Sequence, residues 1–350
     1  MIKVAIDSGP TTSGDKLRGI GIHTSELIKH LRNIKDLKVD LVDFKNTNLG
    51  EFDIIHYPKF NPYFISLPFK KIGKTVITIH DLIYLLYPKA YPPGIKGSLK
   101  FWLQKVLIKN VDAVITISET SKKDIIRFLD IPSELINVIY LAPLSIYRKV
   151  DAQHRLLAVK RSYHLPDKFV LYVGDVNYNK NLSGLAEACK IAKIPLVIVG
   201  KQAASTDFDS NHPENKPLVN FLNRYGNDKD IIRLGYVPNE DMVVIYNLAS
   251  IYCQPSFYEG FGLPILEAFA CETPVVASKI SAHLEIAGDS ALFADPKDPN
   301  DMAKKITMML KDNKLKLEYI NRGSSKVKNY SWEKTARETF RVHQKVLGMV

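Results

Sequence analysis

The sequence predicts an α/β protein of two doubly wound, Rossmann-like domains, and three observations carry that expectation. The chain has 350 residues, more than the roughly 250 to 300 at which a single hydrophobic core stops growing. Apolar β-branched runs alternate with amphipathic stretches of helical length, which implies a parallel sheet covered by helices on both faces. The alternation then restarts and runs through a second time.

The first series opens with the strand KVAI and a helix from about Gly21 to Leu31. VDLVD, DIIHY and TVITI read as further strands, followed by a helix around Lys96 to Lys109, the strand DAVITI and a helix after Ser121. The second opens at FVLYV, Phe169 to Val173, and continues with a helix from Leu182 and the strand PLVIV. A helix near Asn215 to Tyr225, the strand IIRLG, a helix from Asn239, and the strands IYCQP, PVVAS and ALFAD complete it. Between Tyr147 and Phe169 strand patterning lapses and charged residues gather, which puts the boundary there. The expected division is residues 1–150, residues 165–330, and a final helix over 331–350 that crosses back to the first domain. Ser331 caps that helix, with Glu333 and Thr335 in its first turn, and Trp332 reads as packing. In sheets of this kind ligands sit at the carboxyl ends of the strands, so the cleft between the two domains is the expected site.

Composition narrows the class. With 46% hydrophobic and 24% charged residues, the chain matches ordinary soluble globular proteins, and no low-complexity tract or internal repeat is evident. The start, MIKVAIDSGPTTSG, is too short and too polar in its apolar run for a signal peptide. No stretch approaches the roughly 20 apolar residues of a membrane span. Cys189, Cys253 and Cys271 are odd in number, far apart and set among apolar residues, so buried free thiols are expected. A cytoplasmic protein fits these features.

The net charge of +11 is unevenly placed, with 22 basic against 14 acidic side chains in residues 1–150. Between Ile54 and Val111 nine lysines face a single acid, Asp81, which implies an anionic partner for that half. Within it, GIKGSLKFWLQKVLIKN (residues 94–110) interleaves Lys96, Lys100, Lys105 and Lys109 with Phe101, Trp102, Leu103, Val106 and Leu107. Two readings stand: contact with anionic lipid near a lipid-linked acceptor, or a surface helix packing its apolar side on the sheet. Nucleic-acid binding is disfavoured, because no aromatic-basic recognition motif accompanies the charge.

The chemistry concentrates in SFYEGFGLPILEAFACETPVVAS, Ser256 to Ser278. Pro264 suits a first helical position, and the helix it opens, to about Cys271, is apolar nearly all round and therefore buried. Glu267 sits in its first turns, where a buried carboxylate needs a hydrogen-bonding or ionic partner. Gly260 and Gly262 let backbone approach a ligand just before a helix amino terminus, which favours anions.

Glu259 and Glu267, separated by seven residues with GFGLP inside, resemble the E-x7-E motif of retaining glycosyltransferases of the family 4 type. That family uses a nucleotide sugar and has the two-domain GT-B fold. LGYVPNEDMVVIYNLASIYCQPS through ALFADPKDP is similar to it almost position for position, and the resemblance covers nearly the whole chain. It implies that Glu259 contacts hydroxyls of the donor sugar and that Glu267 binds the ribose. The backbone of Gly260, Phe261, Gly262 and Leu263 would reach the sugar and diphosphate, and the nucleobase would lie against Tyr236 and Val237. YVGDVNYNKNL resembles the family's Arg-Lys-Asn segment, with Asn179 where the arginine usually stands. Lys180 is retained and would neutralise the departing diphosphate; Arg18 is a candidate for the missing cation.

LRGIGIHTSEL, with Gly19 and Gly21 ahead of a helix, resembles the family's glycine-rich loop facing diphosphate and acceptor. TVITIHDL resembles its His-Asp pair, implying His80 beside the donor sugar with Asp81 as support. The implied activity is hexosyl transfer with retention to a glycan or lipid-linked acceptor, with mannose from GDP-mannose among the donors. No metal or other cofactor is expected. Asp207-x-Asp209 and Asp228-x-Asp230 mimic a metal-binding triplet but lie in polar loop-like sequence, and read as solvated or helix-capping residues. A sugar-nucleotide epimerase of the same fold, or a non-catalytic nucleotide-sugar-binding subunit suggested by Asn179, would share these features.

Overall fold

The computed structural model describes residues 1–12 and 19–350. Arg18 lies outside the described residues. The chain divides into two compact units, Met1–Ala142 with Tyr330–Val350, and Pro143–Asn329.

The first unit contains β1 (Ile2–Asp7), α1 (Gly9–Thr12), α2 (Gly19–Leu31), β2 (Leu37–Val42), β3 (Ile54–Tyr57) and β4 (Thr75–Ile79). It continues through α3 (Ile83–Leu86), α4 (Gly94–Leu107), β5 (Ala113–Thr116), α5 (Glu119–Leu129) and β6 (Ile136–Val138). Its six strands pair in parallel in the order β2-β1-β3-β4-β5-β6. Every side chain of β3, β4 and β5 is buried, because helices cover both faces; their sequences are accordingly continuous apolar runs rather than alternations. Gly19 and Gly21 lie inside α2 rather than ahead of it as expected. Among the described residues, a Cβ added at Gly19 would meet nothing within 4 Å.

The second unit contains α6 (Gln153–Ser162), β7 (Val170–Val173), α7 (Leu182–Ala192), β8 (Leu196–Val199), α8 (Lys216–Tyr225), β9 (Ile231–Gly235) and α9 (Asn239–Leu248). Then come β10 (Ile251–Gln254), α10 (Leu263–Ala270), β11 (Val275–Ser278), α11 (Ser281–Ala287), β12 (Leu292–Ala294), α12 (Pro299–Lys311) and α13 (Asn313–Val327). The parallel order is β12-β11-β10-β7-β8-β9, the doubly wound arrangement whose topological switch point lies between its first and fourth strands, β7 and β10. The stretch where strand patterning lapsed holds α6, which packs on α9. Helix α13 presses on α10 so closely that a Cβ at Gly323 would lie 2.4 Å from Cδ1 of Phe269.

The last helix, α14 (Trp332–Val346), belongs to the first unit. Ser331 Oγ accepts from Lys334 N at 3.1 Å, and Ala336 and Val342 complete a core cluster with Val4, Leu27 and Ile54. Trp332 is buried and stacks on His23, ring centroids 5.8 Å apart. Cys189, Cys253 and Cys271 are buried free thiols, and burial raises the pKa of each.

Candidate active site

The switch point of the second sheet brings two loops together, one after β7 and one after β10. They are stitched through Asn179, which is buried: its carbonyl accepts from Phe257 N at 2.7 Å, and its side-chain amide donates to Tyr258 O at 3.1 Å. Asn181 donates to Pro255 O at 3.0 Å and Pro296 O at 2.7 Å. Within the second unit the residue in the usual arginine position is thus bonded to the loop that carries Glu259.

These bonds set Lys180 against Glu259. The lysine Nζ donates to Oε1 at 2.8 Å and to Oε2 at 2.9 Å. Ser256 Oγ donates to Oε1 at 2.6 Å and Gln254 Nε2 donates to the same oxygen at 2.9 Å. Burial of Glu259 alone would raise its pKa, but the Lys180 charge and the hydrogen bonds outweigh it and hold the carboxyl below its usual value. A buried carboxylate is stable only with such partners.

His283, fully buried on α11, faces the same loop. Its Nδ1 lies 3.0 Å from Ser278 O, so that nitrogen carries the proton, and burial depresses its pKa to about 4. The carbon Cδ2 of its ring lies 3.3 Å from where a Cβ on Gly262 would be, and Gly262 has φ of 113°. A side chain at 262 would be strained by its backbone and crowded by the imidazole, so glycine is required there. Gly262 is the cap of α10, with Leu263 its first residue and Pro264 its second, one position later than expected.

Glu267 follows on α10. Tyr246 OH donates to its Oε2 at 2.8 Å, but burial dominates and pushes the carboxyl up to about 7. The two glutamates of one motif therefore differ: Glu259 is ionised and ion-paired, whereas Glu267 is poised near neutrality beside a tyrosine. Gly260 and Phe261 are buried. In the loop after β9, Tyr236 is exposed and Val237 buried.

In the first unit His80 follows the carboxyl end of β4. It shares a hydrogen bond of 2.6 Å with His23, and burial, reinforced by the charge of Lys59, lowers its pKa to about 4. Asp81 Oδ1 accepts from Ile83 N at 3.1 Å, steadying the start of α3. Both Asp-x-Asp pairs lie in the second unit. Asp209 accepts from Asn211 N at 2.9 Å within its own turn, while Asp228 and Asp230 hold Lys190 at 2.8 and 3.2 Å.

The sequence reading did not single out Gln254, Ser256, Tyr246 or His283, the groups that hold or crowd the two glutamates. Gln254 left one usable signal, a polar residue closing an otherwise apolar strand. His283 and Tyr246 left none, because their partners are distant in sequence.

Comparison with known proteins places the chain in a family. Residues 159–326 match the family described as glycosyl transferases group 1, and residues 22–142 match glycosyltransferase family 4. The O-antigen chain mannosyltransferase B of Escherichia coli is 31% identical over 301 residues, covering 83% of this chain and 74% of that protein. A serotype-specific mannosyltransferase WbdA of Escherichia coli is 28% identical across 81% of this chain but only 36% of its own length. Among solved structures, the sucrose-phosphate synthase of Thermosynechococcus elongatus covers 100% of both chains with a TM-score of 0.75 at 19% identity, which shows the shared GT-B fold. The chain belongs to the group 1 glycosyltransferases.

Proposed function

We propose that the chain transfers a hexose, mannose first among the candidates, from a nucleotide sugar to a hydroxyl of a glycan or lipid-linked acceptor, with retention of configuration and without a metal ion. The observation that carries this reading is the Lys180–Glu259 pair at the switch point of the second sheet, where ligands of doubly wound sheets bind. Mannose is favoured by the chain's similarity to mannosyltransferases of Escherichia coli.

Each group has a role its environment supports. Lys180 is the cation for the departing nucleoside diphosphate, whose negative charge grows as the glycosidic bond breaks. Glu259, held ionised, accepts from hydroxyls of the donor sugar. The backbone N–H groups of Phe261, Gly262 and Leu263 complete the anion-binding turn, consistent with the partial positive charge of a helix start. Glu267 accepts from the ribose, and the base rests on the Tyr236–Val237 loop. Asn179 acts by fixing the Glu259 loop. In the first unit neutral His80 is assigned to the sugar and the α2 glycines to the acceptor side. The enzyme works in the cytoplasm, at the inner face of the membrane when its acceptor is lipid-linked.

The test is direct. Purified protein is screened for thermal stabilisation by GDP-, UDP- and ADP-sugars, and the stabilising donor is then used in transfer assays with the product anomer read by NMR. Stabilisation by GDP-mannose, an α product and activity that survives EDTA are expected. Inversion, loss of activity with EDTA, or interconversion of the donor without transfer would overturn the respective parts.

A further inference from the structure

The geometry points to a membrane-docking surface on the first unit, formed by the outer face of α4 and the loop before β4, that takes an anionic lipid bilayer. Helix α4 has two apolar sides. Inward, Gly97, Gln104 and Leu107 are buried, with Phe101 and Leu103 packed on the core cluster. Outward, Ile95 is 92% exposed, Leu99 67%, Trp102 64% and Val106 47%. Spacings of four, three and four residues align these four in one stripe on the helix. On the solvent face of a surface helix polar residues are expected; here the sheet-packing and lipid-contact readings of this segment each describe one face.

A second set of exposed apolar residues lies in the loop before β4, a segment that the charge count included but no motif marked. Phe64, Ile65, Phe69 and Ile72 are 64%, 42%, 70% and 51% exposed. Leu67, buried among them, pins the loop to the core. Buried Gln104 on α4 ties it down as well, donating through Nε2 to Asn61 O at 3.1 Å, Phe64 O at 2.7 Å and Ser66 Oγ at 3.1 Å. Lys100 Nζ stands 5.3 Å over the Phe64 ring. Loop and helix are thus held together, and each carries exposed apolar side chains.

Its surroundings select the occupant. Lys70, Lys71 and Lys74 flank Phe69 and Ile72, and Lys96, Lys100, Lys105 and Lys109 share α4 and its end with the stripe. Asp112 takes Lys71 and Lys74, and Asp130 takes Lys105, and the segment from Ile54 to Val111 holds nine lysines and one acidic residue, Asp81. A second copy of the chain would bring the same positive charge against itself. Nucleic acid would leave the aliphatic and aromatic groups in water. An anionic bilayer satisfies both, with lysines at the headgroups and Trp102, Leu99, Phe69 and Ile95 in the interfacial layer. Among the described residues no helix is long and apolar enough to cross a membrane, so the contact lies in the membrane plane. Only the connection to a lipid-linked acceptor rests on the proposed transfer reaction; the lipid contact itself does not.

Flotation with vesicles tests it on the full chain. Vesicles of phosphatidylcholine with phosphatidylglycerol should capture the protein, vesicles of phosphatidylcholine alone should not, and capture should fall as salt rises. The chain has two tryptophans, of which Trp332 is buried, so a blue shift of emission on binding reports Trp102. Leu99→Glu combined with Phe69→Ser changes only exposed side chains; it should leave the melting temperature in place and lower partitioning by at least about tenfold. Absence of binding to the anionic vesicles at low salt, or unchanged partitioning of the double variant, would overturn the proposal. So would a dimer in light scattering that the double variant dissolves, which would make the face an interface between copies. Because none of these readouts needs turnover, failure here is separable from failure of the transferase reading.

Discussion

Lys180 Nζ lies 2.8 Å and 2.9 Å from the two carboxylate oxygens of Glu259, which is itself only 7% exposed. The residues are 79 apart in sequence and meet because β7 and β10 are neighbours at the switch point. The lysine helps hold the Glu259 carboxyl in its charged form, so a diphosphate and a sugar would find cation and carboxylate already fixed, with little reorganisation left to perform.

Lys180→Met removes the cation and leaves Glu259 buried without it. Transfer should fall by about 10² to 10³, the usual cost of losing one preorganised stabiliser. Stability should fall by only about 1 to 3 kcal/mol, below the range for a fully buried pair, since the lysine side chain is 24% exposed and Ser256 and Gln254 still donate. A double-mutant cycle with Glu259→Gln, read by urea unfolding, should return a coupling of about 1 kcal/mol or more. Additive losses in that cycle, or transfer at the wild-type rate, would remove the pair from the site.

Glu267 carries a prediction for pH. Its folded pKa, about 7, lies above the unfolded value, so the native state binds the extra proton. The stabilisation is complete below the unfolded pKa of about 4.3 and is lost as pH rises through about 7. Glu267→Gln should therefore gain stability relative to wild type between pH 5 and 8, by up to about 3 kcal/mol. Binding of a donor whose ribose needs the carboxylate should tighten over the same interval in the wild type and become flat in the variant. Calorimetric titration at several pH values checks both the affinity and the proton released.

The sequence made both sheets legible because their strands are buried on two faces: TVITI, DAVITI and PLVIV announce themselves without alternation. It also marked Glu259 and Glu267, because a carboxylate in an apolar or glycine-rich setting demands a partner, whereas Lys180 stood out only through the resemblance of its segment to the family's Arg-Lys-Asn. It could not show that Lys180 and Glu259 are each other's partner, since that depends on strand order. Short or polar elements were lost: β6 has three residues, and α6 is too weakly amphipathic to stand out from the linker expected there. Gly19 and Gly21 stand in the first turn of α2 rather than just ahead of it. The exposed face of α4 was hidden because apolar residues occupy both of its sides, and only three-dimensional packing separates them.

Gly323 is a structural prediction independent of chemistry. Its missing Cβ lets α13 close on α10, and an alanine there would place that carbon 2.4 Å from Cδ1 and 2.9 Å from Cγ of Phe269. The ring is buried in the helix that carries Glu267, so it has no free direction in which to turn. Gly323→Ala should destabilise the protein by about 1 to 3 kcal/mol through overpacking, despite alanine's better helix propensity. Paired with Phe269→Leu, which shortens the opposing group, it should recover part of that loss. An unfolding titration of the two single variants and the double variant decides it.

Four histidines of the first unit determine its response to acid. His23 and His80 share a hydrogen bond of 2.6 Å, and His343 Nε2 lies 3.3 Å from His56 Nδ1, whose own Nε2 meets Thr78 Oγ1 at 2.8 Å. Burial lowers all four pKa values, to about 4 for His80 and about 3 for His343. Each is neutral when folded and takes a proton near pH 6.5 when unfolded, so the stability it contributes is present above about 6.5 and lost as pH falls toward the folded value. This slope opposes that of Glu267, and four groups outweigh one, so the melting temperature should fall steadily from pH 6.5 to pH 4.5. His56 on β3 and His343 on α14 tie the final helix to the sheet, so amide exchange in Trp332–Val346 should quicken before the rest of the unit. His343→Gln keeps a side chain able to bond His56 without titrating, and should reduce the acid slope. If exchange in α14 instead tracks global unfolding at every pH, or the variant melts with the wild-type slope, the His56–His343 contact does not set the acid limit.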